Sequence, residues 1–271
     1  MYRVEVQQQT HFDNDSTDAP EQLRLLSEIL GGHSAAVLSG LGIGAGARCW
    51  DIGSGDGSVA RWLADQVGPT GSVLATDLKP EHVPVHPQIE ARRHDLLADS
   101  WPAGRFDLIH ARLVLMHLPR AADLALRLVE QLAPGGVLVL TDWFCDCAVG
   151  PVASPVDAYT SSIWWRYHDA VHDLGALAGM DLGWAAQTAD VLRAAGHDDV
   201  TVLHDQACGR GGTPSALLAR LHSTMLEDHL IRAGLEPGDL AAIRANLLDP
   251  GFEMATYHTF TTVLRAPQQA S

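Results

Sequence analysis

With 271 residues, 46 % of them hydrophobic and 19 % charged, the chain has the composition of a soluble globular protein with a substantial core. Acidic residues outnumber basic ones 33 to 18, and a formal charge of −15 repels phosphate backbones and anionic membrane surfaces. Nucleic acid and membrane are therefore not expected as partners. Lys79 is the only lysine among the 18 basic residues, a bias that suggests a GC-rich bacterial genome.

Four scattered cysteines (Cys49, Cys145, Cys147, Cys208) offer no disulfide framework and fit a reducing cytoplasm. The N-terminal MYRVEVQQQTHFDNDSTDAPEQ has no apolar segment flanked by basic residues, so no signal peptide is expected. Residues 1–17 are polar and predicted to carry no packed element. From Asp18, an N-cap acid with Pro20 in the first turn and Glu21 three residues on, a helix is expected to run to Gly31-Gly32. A second helix is expected from His33 to Leu41.

Short apolar runs then alternate with amphipathic stretches. Strands are predicted at Arg48–Ile52, Ser72–Asp77, Ile89–His94, Phe106–Ala111 and Gly136–Thr141, with helices at Ser58–Val67 and Ala121–Leu132. This alternation predicts an α/β fold around a parallel sheet. Three prolines in 78–87 leave little or no helix there. Helices follow at about Pro155–Ala178 and Gly183–Ala195, then a strand near Val200–His204. Helices at Pro214–Ala233 and Pro237–Leu248 precede a last strand at Ala255–Leu264. The absence of repeats or linkers predicts one domain over 1–271: a helical lid at about 18–41, a nucleotide-binding core at about 47–142, and helical cap insertions at about 143–182 and 213–249.

The segment Asp51-Ile-Gly53-Ser54-Gly55-Asp-Gly57-Ser58 follows a predicted strand and opens a predicted helix. Its glycines let the backbone turn sharply and let a ligand approach, while the helix start presents free N–H groups. A dinucleotide fingerprint would place its third glycine at Ser58, so a nicotinamide-dependent dehydrogenase is disfavoured. Asp77 closes the second strand, where a carboxylate can accept both ribose hydroxyls of an adenosyl group. Asp95, with Leu96 and Leu78 flanking a ring, can accept the exocyclic amine of adenine. The run Phe106-Asp-Leu-Ile-His110-Ala111-Arg112 ends at the same carboxyl edge.

In this order the motifs resemble the class I S-adenosylmethionine-dependent methyltransferase family. Pro134-Gly135-Gly136 before strand five belongs to the same family pattern, while RLLSEIL before the loop and Met116-His-Leu-Pro119 after strand four resemble its small bacterial natural-product members. The likeness covers about Leu25 to Trp143. It implies a Rossmann-like seven-stranded sheet with helices on both faces and a helical cap, and S-adenosyl-L-methionine as cofactor. It further implies that Asp51, Gly53, Ser54 and Gly55 hold the methionine part, with Ser58 at the helix start. Asp77 and Leu78 would take the ribose and adenine edge, Asp95 and Leu96 the adenine, and His110, Ala111 and Arg112 the methionyl side.

Methyl transfer to an alcohol or phenol needs a proton acceptor near neutral pH, a task suited to histidine. His117 after strand four, Asp142 after strand five, and His168 on the cap helix are the candidate catalytic groups. His168 and His172 share a helix face, but without a third ligand no metal site is expected. Aromatic residues cluster between 143 and 184, and Trp143, Trp164 and Tyr167 are the candidate substrate-binding side chains. The expected function is methylation of a small organic molecule, at oxygen by preference, with nitrogen or carbon possible. The rival is a cofactor-binding cyclase of the same fold that transfers no methyl group. The oligomeric state is left open between monomer and homodimer.

Overall fold

The computed structural model describes residues 18–145, 152–153 and 156–268. The N-terminal stretch 1–17, Cys147 and the expected helix start at Pro155 lie outside the described residues. Seven strands form the main sheet: β1 (Arg48–Ile52), β2 (Ser72–Asp77), β3 (Ile89–Arg93), β4 (Phe106–Arg112), β5 (Leu132–Phe144), β6 (Val200–Asp205) and β9 (His258–Arg265). Their spatial order is β3-β2-β1-β4-β5-β9-β6, parallel except for β9, which runs antiparallel to both its neighbours. The expected seven-stranded Rossmann-like sheet is thus present.

Pleating divides the side chains between two faces. Cys49, Val73, Ala75, Leu108, Val137, Val139 and Val263 face α1 (Ala19–Ser39) and α2 (Ser58–Val67). Trp50, Leu74, Ile109, Leu138, Leu140 and Leu264 face α3 (Ala121–Val129) and α5 (Trp184–Ala194). A second core joins α4 (Ala158–Leu177), α6 (Pro214–Met225), α7 (Glu227–Arg232) and α8 (Pro237–Asn246) into a cap through Ile163, Trp164, Leu230, Leu240, Ile243 and Phe252.

Several boundaries differ from the sequence expectation. Gly31-Gly32 does not end a helix: α1 continues through both, burying Leu25, Leu30, Ser34 and Leu38 along one stripe. Burial of that stripe outweighs a glycine penalty of about 1 kcal/mol per residue. Asp18 makes no side-chain cap bond; its carbonyl oxygen accepts from the Gln22 N–H. The expected helix Pro214–Ala233 breaks at Leu226 into α6 and α7. Ala255, expected to open the last strand, instead ends β8 (Glu253–Ala255), which pairs with β7 (Cys208–Arg210) in a small separate sheet. As expected, the proline-rich 78–87 connection holds only one short 3₁₀ turn, Pro80–His82.

Candidate active site

At the carboxyl edge of the sheet, β1 turns into α2 through Gly53, Gly55 and Gly57, at φ +62°, +53° and +73°. Gly53 is required twice over: its backbone is left-handed, and a Cβ would lie 2.4 Å from Val114 Cγ2. The Ser54 N–H donates to the Thr76 carbonyl at 3.0 Å, and the Gly55 N–H to Asp77 Oδ2 at 2.9 Å. The other Asp77 oxygen accepts from the Lys79 N–H at 2.9 Å. That carboxylate ties the glycine loop to the end of β2 and keeps further lone pairs for ligand hydroxyls.

These residues open on a cleft of about 520 Å³. Gly53, Ser54, Gly55, Asp77 and Arg112 line it, as do Leu78, Asp95 and Leu96. Asp95 also shapes the following turn, its Oδ1 accepting from the Leu97 and Ala98 N–H groups at 2.8 and 3.3 Å. Arg112 donates to Ser34 Oγ at 3.0 Å and Ser27 Oγ at 3.4 Å, drawing α1 over the cleft, where Gln22, Leu23 and Leu26 add to the lining.

Four expected contacts lie behind the cleft wall instead of on it. Asp51 and His110 stand opposite each other in register and bond side chain to side chain at 2.7 Å, both buried. Ala111, one residue along the pleat, belongs to the core against α3. Ser58 Oγ meets Ser27 Oγ at 3.0 Å. Asp51 Oδ2 is buried and has no hydrogen-bond partner among the described residues. The sequence reading also missed His94, buried in the lining with Nε2 3.3 Å from the Ser100 carbonyl oxygen and Nδ1 without a partner among the described residues. No periodic signal singles it out.

The structure corrects the expectation for Asp142. Because β5 runs on to Phe144, Asp142 is a strand residue whose side chain points to the α5 face, opposite Trp143. It is 3 % exposed, lines neither the cleft nor the chamber described next, and has the Trp184 indole beside it. Burial raises its carboxyl to about 8, against a smaller opposing pull from the Met116 and Val114 amides and that indole. Geometrically the indole closes no hydrogen bond, leaving Asp142 Oδ1 and Trp184 Nε1 both without a partner among the described residues. His117 stands on the cleft rim with part of its surface open to solvent, while the protein around its ring lowers the imidazole to about 4.

Beside the cleft lies a chamber of about 240 Å³ under the cap, and Trp143, Trp164 and Tyr167 all line it. Trp164 is held by stacking on Phe252, centroids 5.1 Å apart, and the Tyr167 hydroxyl donates to the Ala219 carbonyl at 2.9 Å. Trp143, Val171, His222 and Tyr257 border both cavities. At this junction His168, on the chamber side, lies 4.2 Å centroid to centroid from His172, on the cleft side. Burial, then the neighbouring His172, pushes His168 down to about 4; burial alone takes His222 to about 4. Both imidazoles are therefore neutral at pH 7. The spacing of Trp164, Tyr167, His168 and Val171 marks this face of α4 in the sequence, whereas His222 and Tyr257 come from distant segments. Among the described residues no cluster has a metal-binding ligand set, and no helix is long and apolar enough to cross a membrane.

Residues 31–190 match the methyltransferase-domain family. Methyltransferase str3 of Strobilurus tenacellus is 36 % identical over 109 residues, 39 % of this chain and 38 % of that one. The chain likewise spans 38 % of the related str2 protein's length. Nocamycin O-methyltransferase of Saccharothrix syringae is 28 % identical over 218 residues, 73 % of this chain and 75 % of that one. Among solved structures, Haemonchus contortus phosphoethanolamine N-methyltransferase 2 in complex with S-adenosyl-L-methionine superposes with a TM-score of 0.56. That match has 16 % identity and covers 94 % of this chain and 59 % of the other. A Lactobacillus casei protein described as cyclopropane-fatty-acyl-phospholipid synthase-like gives a TM-score of 0.53 at 17 % identity, covering 92 % and 94 %. A family match over more than half of the chain, on this sheet order and glycine loop, makes the chain a member of the class I S-adenosylmethionine-dependent methyltransferase family.

Proposed function

We propose that the protein transfers a methyl group from S-adenosyl-L-methionine to an oxygen of a small organic molecule in natural-product biosynthesis, acting in the cytoplasm of a bacterium. The observation that carries this reading is the pairing of an adenosyl-sized cleft with an aromatic chamber that opens from it. The residues fit the cofactor. Asp77 keeps acceptor capacity for ribose hydroxyls, Leu78 and Leu96 offer apolar walls for a ring, and Asp95 stands beside them. Gly53, Ser54, Gly55 and Arg112 are assigned to the methionine part. Asp51 and His110 support that end from behind through their buried pair.

When bound, S-adenosylmethionine supplies an electrophilic sulfonium methyl group, and the protein supplies alignment and a dry site. Trp143 at the junction, with Trp164 and Tyr167 beyond it, is assigned to hold the acceptor molecule. His168, neutral and facing the chamber, is assigned as proton acceptor in place of Asp142, which faces the other way, and of His117 on the cleft rim. The similarity to nocamycin O-methyltransferase supports oxygen as the acceptor atom.

Calorimetry with S-adenosylmethionine, S-adenosylhomocysteine and NADH, with Asp77→Ala as control, tests the cofactor. Micromolar binding of the adenosyl ligands, weakened in the variant, is expected. Binding of NADH alone would overturn the reading. Product mass tests the chemistry, since methylation adds a CH₂ unit and cyclisation does not.

A further inference from the structure

We propose that the chamber takes a planar, uncharged molecule and presents its acceptor, a hydroxyl on an sp² carbon (a phenol or enol), to the His168–His172–His222 cluster. This rests on the cofactor assignment above and narrows the acceptor to one chemical class.

The first support is shape and rigidity. Trp143, Trp164, Tyr167 and Tyr257 all line one cavity, and the Trp164 stack and the Tyr167 hydrogen bond fix two of those side chains before any ligand enters. Trp143 and Tyr257 lie 5.2 Å apart at the passage to the cleft. Preformed aromatic walls favour flat groups, at a low ordering cost on binding.

Charge is the second support. Among the described residues that line the chamber there is no lysine or arginine, while Glu28, paired with Arg24, and Asp205 stand at its exposed edge. The cations of the adjoining cleft, Lys79 and Arg112, belong to its adenosyl-binding end. A phosphate or carboxylate on the substrate would be desolvated with no lysine or arginine of the described lining to pair with, which disfavours anionic acceptors.

The third support is the chemistry of the junction. A neutral imidazole accepts a hydroxyl proton, and burial keeps His168 and His222 neutral. The acceptor oxygen loses its proton to the imidazole and forms the new O–C bond, while the breaking C–S bond leaves its electron pair on sulfur. The positive charge of the sulfonium thereby passes to the imidazole, which becomes an imidazolium at the junction. A neutral amine acceptor needs no proton removed before attack and would leave the histidine cluster without a role. A hydroxyl on an sp² carbon is far more acidic than an alkanol, which suits bases as weak as these imidazoles.

The test uses 2-naphthol, 2-methoxynaphthalene, 2-naphthyl phosphate and 2-naphthylmethylamine, titrated calorimetrically into the full chain with S-adenosylhomocysteine present. Naphthol is expected to bind at least tenfold more tightly than the phosphate, the amine or its own methyl ether. His168→Gln is expected to reduce the preference for naphthol over the ether to less than threefold. Met254→Trp, or Ala219→Leu should that variant not fold, fills the chamber and is expected to abolish naphthol binding while S-adenosylhomocysteine still binds. Equal or tighter binding of the amine or phosphate, or naphthol binding indifferent to chamber filling, overturns the proposal. Loss of adenosyl binding by the wild-type protein would instead sink the cofactor assignment, an outcome read separately from the naphthol series.

Discussion

Replacing Asp142 with asparagine tests the account of β5 most directly, because the amide has the shape of the protonated acid and cannot ionise. In the folded protein the Asp142 carboxyl is raised to about 8 by burial, against 3.8 in an unperturbed chain. Between those values the unfolded chain has released a proton that the folded chain retains. The stability that Asp142 contributes is therefore fully present below the unfolded value and declines as pH rises towards 8. Each pH unit is worth about 1.4 kcal/mol, so the decline from pH 5.5 to 8 amounts to about 3 kcal/mol. Other titrating groups are shared by the two proteins and cancel in the difference. Urea unfolding of both, from pH 5.5 to 9, is expected to show Asp142→Asn gaining steadily on the wild type up to pH 8 and holding a constant lead above it. Curves that run parallel throughout would refute the reasoning and place Asp142 in a solvated setting.

Gly53→Ala is expected to destabilise the fold by roughly 2–4 kcal/mol, from the left-handed backbone and the overlap with Val114. Adding Val114→Ala should recover the overlap part only, as thermal unfolding of the double variant would show. Asp77→Asn should behave much like Asp77→Ala, because one face of an amide cannot accept from either the Gly55 or the Lys79 N–H. Faster deuterium exchange over 53–58 and at least tenfold weaker S-adenosylhomocysteine binding are expected; wild-type affinity in the asparagine variant would refute this. Arg112→Gln removes the charged ties to Ser27 and Ser34 at about 1–3 kcal/mol and should speed exchange across 22–34. Unchanged exchange there would mean apolar packing alone holds α1 over the cleft.

The linear chain already carried the order of strand, glycine loop and helix, the carboxylates that end β2 and follow β3, and the aromatic stripe of α4. Each is a short-range pattern: a period of two or of three to four residues, or a backbone turn that only glycine makes without strain. The chain order did not tell which of two adjacent residues at a strand end meets the cleft, because β5 runs three residues beyond its predicted end and the pleat reverses side-chain direction at every step. Asp142 and Ala111 fell on the far face for that reason, and Asp51 and His110 were drawn into a pair with each other. Nor did local pattern show that α1 would hold through Gly31-Gly32, since its buried stripe and the Arg112 bonds are long-range contacts. The junction of His168, His172, His222 and Tyr257 draws on α4, α6 and the segment before β9, and no local periodicity links them. The sequence by itself determined the sheet and the residue types at its edge. Packing of distant segments decided which of them face a ligand, and whether burial leaves them charged or neutral.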